Sequence, residues 1–308
     1  MTTWQPGISL EGLQQRAELL VRIRNFFHER GVMEVTTPLI TASGVTDPNI
    51  DSLALDDQAG YLRTSPEYFH KRLLAAGCGD LFELGPVFRA GEQGRHHRSE
   101  FWLLEWYRIG WSWQALAQEV VDLIQDCCPR TVSLQPEARS LSWQACLEAE
   151  LQCDPLSCDN EALVRLSPQL TPDCDRDMRL DYLFATEVQP RFPADHLTVV
   201  HGYPASQAAL ARLNPDDERI AERFEVFWGS VELANGYREL TCADEQRQRF
   251  KQDNVRRKLL GRPPMPIDKN LLAALNTGLP ECCGVALGLE RLLLMISGSE
   301  HIDQVIPF

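Results

Sequence analysis

The stretch from 81 to 109 constrains the fold more than any other. LFELGPVFR (81–89) and EFWLLEWYRI (100–109) are two apolar runs of strand length, joined by the polar, glycine-containing AGEQGRHHRS. Such a pair predicts an antiparallel hairpin with a long charged loop. Alternate strand residues share a face, so Phe101, Leu103, Glu105 and Tyr107 fall on one side and Trp102, Leu104, Trp106 and Arg108 on the other. Glu105 thus sits among apolar neighbours, where a carboxylate is costly unless paired. Two partners would satisfy it, an internal arginine or the ammonium of a ligand. Taken alone, the strand favours the arginine.

The hairpin is flanked by helices. Residues 9–30 read as an amphipathic helix capped by Ser9 and stopped by Gly31, followed by a strand in GVMEVTTPLI (31–40) that ends near Pro38. Residues 64–78 read as a helix with Thr64 or Ser65 as cap, Pro66 and Glu67 in the first turn, and Gly77 as the stop. Another helix is expected over 112–127. After a motif-poor, proline-rich middle (129–200) come two strands around Gly229-Ser230, a charged helix over 243–260, a helix near 267–276, a strand over 284–287 and a helix over 288–296. Helices mixed with antiparallel hairpins predict an α+β fold.

Composition narrows the function. The net charge is −14, and wrapping nucleic acid calls for a basic footprint, so an extended tRNA-binding surface is not expected. The ten cysteines include no CxxC, which argues against zinc and, together with the absence of a signal-peptide pattern, for free thiols in a cytoplasmic protein. No apolar run is long enough to span a bilayer, so no membrane association is expected.

Charged residues recur where ligands would need them. Glu225, Glu232 and Glu239 are spaced by sevens, with Asn235, Gly236 and Tyr237 between the last two. Magnesium held with nucleotide phosphates uses one or two carboxylates plus water. Glu225 and Glu232 are therefore metal candidates and Glu239 a candidate for cation recognition, against the blander reading of a solvated acidic hairpin. Arg89 ends the first hairpin strand and Arg291 opens the last helix after Gly288. Both suit carboxylate or phosphate; each alone could equally be a surface ion-pair partner.

Three segments in order resemble the signature motifs of class II aminoacyl-tRNA synthetases. GVMEVTTPLI is similar to motif 1, VFRAGEQGRHHRSEFWLLEWYR to motif 2 and GVALGLERLLLM to motif 3. TSPEYFHKRLL, EFWLLEWY and ERFEVFWGSVELANGYRELTCADEQRQRF resemble the lysyl branch. The chain begins almost directly at the motif 1 helix, so no N-terminal anticodon-reading OB domain is expected. Ala286 stands in GVALG where lysyl-tRNA synthetases usually carry glycine. Together these features resemble the lysyl-tRNA synthetase paralogues that modify elongation factor P. From about Trp4 onward, this implies one catalytic domain over 1–308, a mostly antiparallel sheet flanked by helices, with a divergent insertion at about 129–200 and a homodimer formed through motif 1.

The resemblance implies a reaction. ATP and (R)-β-lysine give β-lysyl-adenylate and pyrophosphate, and the acyl group passes to a lysine of elongation factor P, with a β-lysine-producing lysine aminomutase upstream. It also implies roles. Ser65, Pro66 and Glu67 lie near the reacting end of the substrate. Arg89 holds carboxylate and α-phosphate, and His97 and Phe101 sandwich adenine. Glu105, Tyr107, Asn235, Tyr237 and Glu239 recognise the ammonium, and Ala286 tunes selectivity. Glu225 and Glu232 hold Mg²⁺, and Leu233, Gly288 and Arg291 complete the ATP site with Ala90, Gly91 and Glu92.

Motif 2 departs from the family pattern. Glu is expected two residues after the arginine, where Gly91 stands and Glu92 follows. His-Asn-Pro-Glu-Phe reads His97-Arg98-Ser99-Glu100-Phe101, which implies an added positive charge from Arg98 beside the phosphates. Two other readings remain: a truncated lysyl-type adenylating enzyme using α-lysine with another acceptor, and a non-catalytic regulatory paralogue. The second is disfavoured because both motif arginines are present.

Overall fold

A computed structural model describes residues 4–56 and 60–308. Its centre is an eight-stranded sheet in the order β1-β4-β5-β10-β9-β8-β7-β6. These strands are β1 (Met33–Glu34), β4 (Leu81–Phe88), β5 (Glu100–Ile109), β6 (Arg139–Ser142), β7 (Leu197–His201), β8 (Arg223–Trp228), β9 (Val231–Arg238) and β10 (Cys282–Gly288). The five inner pairings are antiparallel; only the outermost, β1 with β4 and β6 with β7, are parallel. The fold is α+β, as expected from the sequence.

Strand alternation divides the sheet into two functional faces. Phe82, Leu84, Leu104, Trp106, Phe224, Val226, Val285 and Leu287 point into the main core. They pack there against α1 (Leu10–Glu29), α3 (Trp113–Cys127) and α9 (Leu289–Ser297). Ser9 caps α1 by accepting from the Gly12 amide, and Ser112 caps α3 by accepting from Ala115. The other face carries Glu105, Tyr107, Asn235, Tyr237 and Ala286, which line the cavity described below.

Two local expectations need correction. The strand expected over 31–40 pairs only at Met33–Glu34, with one further bond from the Val35 amide to Phe82, and Ile40–Thr41 (β2) instead pairs with Tyr61–Leu62 (β3) in a separate small sheet. Pro38 has no amide to continue the first ladder. The helix expected from 64 begins at Glu67 (α2, Glu67–Ala75), with Pro66 at the N-cap and no side-chain cap bond. That leaves Thr64 and Ser65 on the cavity wall. The two strands expected around Gly229-Ser230 do form, with one irregularity: Val226 faces Ala234 but Phe227 faces Glu232, so Leu233 is a bulge.

The motif-poor middle builds its own small core. Trp143 and Leu147 of α4 (Trp143–Leu151), Leu163 of α5 (Asn160–Leu166) and Leu180 and Leu183 of α6 (Arg176–Leu183) pack against Phe227 and Val200 of the sheet. A third cluster joins Leu74 of α2 and Tyr107 to Phe250 of α7 (Ala243–Leu259) and to Leu271 and Leu275 of α8 (Lys269–Gly278). Acidic residues open α7 and basic residues close it, matching the helix dipole. Its buried Arg257 donates to the carbonyls of Asp47 (2.9 Å) and Ile50 (3.2 Å). This bond, with Thr46 donating to Asp253 at 2.6 Å, fixes the loop that walls one side of the cavity.

Candidate active site

A cavity of about 710 Å³ lies on the polar face of the sheet. One end gathers carboxylates. Glu67 accepts from the Tyr237 hydroxyl at 2.5 Å and pairs with Lys71 at 2.8 Å, and Lys71 reaches Glu239 at 2.6 Å. Glu105 accepts from the Tyr107 hydroxyl at 2.9 Å. Glu105, Glu239 and Lys71 are all buried. Burial alone would push the Lys71 amine down, but the charges of Glu239 and Glu67 hold it raised. Burial pushes the Glu239 carboxyl up, and Lys71 opposes this. Its Oε2 lies 2.6 Å from the ammonium, yet neither oxygen receives a well-directed hydrogen bond among the described residues. A buried carboxylate in that condition is ready for a further donor.

Elsewhere on the wall Arg89, Arg291 and Arg223 each stand beside a carboxylate, Glu92, Glu232 and Glu225. Arg89 leaves β4 over the Phe101 ring at 5.1 Å, donates Nε to the Thr64 carbonyl at 3.3 Å, and has Glu92 3.6 Å from Nη1. Arg291 in the first turn of α9 donates to the Glu232 carbonyl at 3.0 Å and has Glu232 Oε2 at 3.4 Å and His97 Nε2 at 2.7 Å. Burial and the Arg291 charge lower the His97 imidazole, so it is neutral beside that guanidinium. Glu225 is held by Arg223 at 2.6 Å, the Tyr203 hydroxyl at 2.5 Å and Asn235 at 3.3 Å. Even so, burial and the Glu232 charge push it up to about 7. Among the described residues no cluster of three metal-ligating side chains occurs. Two hard carboxylates, Glu225 and Glu232, are nevertheless a donor set suited to Mg²⁺ shared with phosphates.

The bulge at Leu233 makes this arrangement possible. Strict alternation would place Glu232 and Asn235, three apart, on opposite faces; the extra residue brings both to the cavity. Of the residues singled out from sequence, the cavity wall includes Ser65, Glu67, Arg89, Glu92, His97, Glu105, Tyr107, Glu225, Glu232, Asn235, Tyr237, Glu239, Ala286 and Arg291. Others lie outside it. Pro66 starts α2, Gly91 turns the loop at φ +76°, and the Ala90 amide donates to Asp51. Leu233 is in the core, Phe101 lies beneath Arg89, and Gly288 lies against the Arg291 stem. Arg98, expected beside phosphate, pairs with Asp303 near the C-terminus and is not on the cavity wall.

The arginine partner first favoured for Glu105 is absent among the described residues; His70 takes that place, with Nδ1 at 3.1 Å. Sequence reasoning passed over His70, Lys71 and Glu83. The one available signal was the Glu67–Lys71 spacing of four on a helix. It also gave no weight to Gly284, placed only as the first residue of the strand over 284–287. Gly284 sits mid-strand between Tyr107 and Tyr237, and a Cβ there would overlap the Tyr107 ring and the Glu239 carboxylate. Gly284→Ala is accordingly expected to cost about 1–3 kcal/mol of stability through overpacking. A denaturant midpoint unaltered from the parent would contradict the packing argument.

Comparison with known proteins accords with this geometry. Residues 8–308 match the family model of class II tRNA synthetases (D, K and N), so the chain belongs to the class II tRNA synthetase family. Among curated proteins it is 45% identical to the elongation factor P–(R)-β-lysine ligase of Klebsiella pneumoniae and 46% identical to the protein of the same name from Salmonella dublin. Each comparison covers 99% of this chain and 97% of the relative. No helix among the described residues is long and apolar enough to cross a membrane.

Proposed function

We propose that this ligase activates (R)-β-lysine with ATP and transfers it to a lysine side chain of elongation factor P in the cytoplasm. The observation that carries the reading is the polarity of one cavity, a buried carboxylate wall at one end with Arg89 and Arg291 elsewhere on its lining. An ammonium-bearing chain would lie with its cation against Glu105, Glu239 and Tyr107 and its carboxylate toward Arg89. The substrate carboxylate oxygen attacks the α-phosphorus, and the bond to pyrophosphate breaks. The acceptor amine then attacks the acyl carbon, expels AMP and loses a proton. No protein nucleophile is needed; alignment and charge neutralisation supply the rate. Arg89 offsets charge building on the α-phosphate, Arg291 holds the outer phosphates, and His97 packs against adenine. Glu225 and Glu232 would hold Mg²⁺, which neutralises phosphate charge when bound.

The partner follows from the names of the relatives, with a lysine aminomutase as the source of substrate. Incubating the protein with ATP, labelled (R)-β-lysine and elongation factor P should yield labelled elongation factor P. Label remaining as free adenylate, or reaching tRNA instead, would favour another acceptor. Ala286 lies between Glu105 and Asn235 in the sheet register, so its methyl narrows the cavity floor. Ala286→Gly is expected to improve the use of α-lysine relative to β-lysine severalfold, and an unchanged ratio would remove Ala286 as a selectivity element. Exposed Met33, Leu39 and Ile40 suit contact with a second copy; sedimentation at the monomer mass would count against a homodimer.

A further inference from the structure

His70 is wholly buried on α2 and bridges two strands of the sheet. Its Nδ1 lies 3.1 Å from Glu105 Oε1 and its Nε2 lies 3.0 Å from Glu83 Oε2. A neutral imidazole has one donor, so two ionised carboxylates can be satisfied only by the imidazolium. Glu83 is firmly ionised: it accepts from the Thr37 amide (3.1 Å), the Thr37 hydroxyl (2.7 Å) and Arg63 (2.7 Å). Burial would raise its carboxyl, yet hydrogen bonds from His70, Arg63 and Thr37 hold it down at about 2. Burial likewise opposes charge on His70, but the hydrogen bonds to Glu105 and Glu83 raise it. Glu83 thus anchors the ring from behind.

Glu105 is placed differently. Both of its donors, His70 and Tyr107, converge on Oε1, and among the described residues Oε2 has no hydrogen-bond partner. We propose that His70, held by Glu83, is a positioning residue for substrate recognition: it saturates one oxygen of Glu105 and leaves the other for the side-chain ammonium. Without the imidazolium, Glu105 would keep only the Tyr107 hydroxyl and could turn away from the cavity.

This inference rests on the reading that Glu105 meets the substrate's side-chain ammonium, and the test separates the two. ATP–pyrophosphate exchange is measured with (R)-β-lysine and with 3-aminohexanoate, the same skeleton lacking the terminal amine. His70→Gln is expected to reduce the preference for β-lysine, as a ratio of kcat/KM, by about tenfold or more, the scale of one hydrogen bond to a charged group. The value for 3-aminohexanoate and the KM of ATP should stay within about twofold of the parent. Glu83→Gln, which touches His70 without lining the cavity, should move the ratio in the same direction and serves if His70→Gln does not fold. Equal losses on both substrates, or an unchanged ratio, would overturn the proposal as a merely structural role. If Glu105→Gln collapses the ratio while the His70 and Glu83 variants do not, only the positioning role fails. If Glu105→Gln leaves the ratio intact, the ammonium reading fails first and the proposal with it.

Discussion

Arg89→Ala is expected to lower amino-acid-dependent pyrophosphate exchange by about 10²–10³-fold, or roughly 2.7–4 kcal/mol of transition-state stabilisation. The guanidinium stands over Phe101, its Nε is tied to the Thr64 carbonyl, and Glu92 approaches only Nη1 at 3.6 Å. Arg89 lines the cavity, where in the proposed reaction negative charge would grow as the carboxylate attacks phosphorus. The loss should fall on kcat, because the interaction strengthens in the transition state. Arg89→Lys should recover little, since an ammonium cannot make the paired contact of a planar fork. Stability should change by no more than about 0.5 kcal/mol, because the side chain is partly exposed. Exchange within a few-fold of the parent would remove Arg89 from the chemistry.

Glu119→Ala is expected to destabilise the fold by about 3–5 kcal/mol, through the charge it leaves behind. On the core face of β5, Arg108 donates Nε to Glu119 Oε2 at 2.9 Å and Nη2 to Oε1, and the Trp106 indole donates to Oε2 at 3.0 Å. Arg108 also reaches Asp80 at 3.0 Å. Arg108, Glu119 and Trp106 are buried, so removing Glu119 strands a guanidinium in the interior. The denaturant midpoint should drop while the slope stays constant. A midpoint unchanged from the parent would mean that water or Asp80 takes over at no cost. Arg108→Met with Glu119→Leu should be far milder than either single change, because matched apolar replacements of buried ion pairs are often neutral.

The sequence made β4, β5, β8, β9, β10 and most helices legible because each carries its own local signal. Ser9 caps as expected, and strand alternation put Glu105 and Tyr107 on one face. Less visible were features that depend on partners distant in the chain. The strand in GVMEVTTPLI shrank to Met33–Glu34 because pairing needs a neighbour as well as propensity. His70 looked like any helical residue until α2 was laid across β4 and β5, and Glu83 had no signal beyond its place in a strand. The bulge at Leu233 left no mark in composition, yet it sets which glutamates share the cavity. Arg98 went to Asp303 through a contact spanning 205 positions, beyond the reach of any local pattern. The family resemblance supplied residue identities at the site, and the sheet register supplies the reason they meet.

The measurement that bears most directly on the central claim is pyrophosphate exchange with ATP and Mg²⁺, comparing (R)-β-lysine with α-lysine. Exchange strongly favouring β-lysine is the predicted result. Equal or better exchange with α-lysine would contradict the substrate assignment, and no exchange with either would contradict adenylation itself.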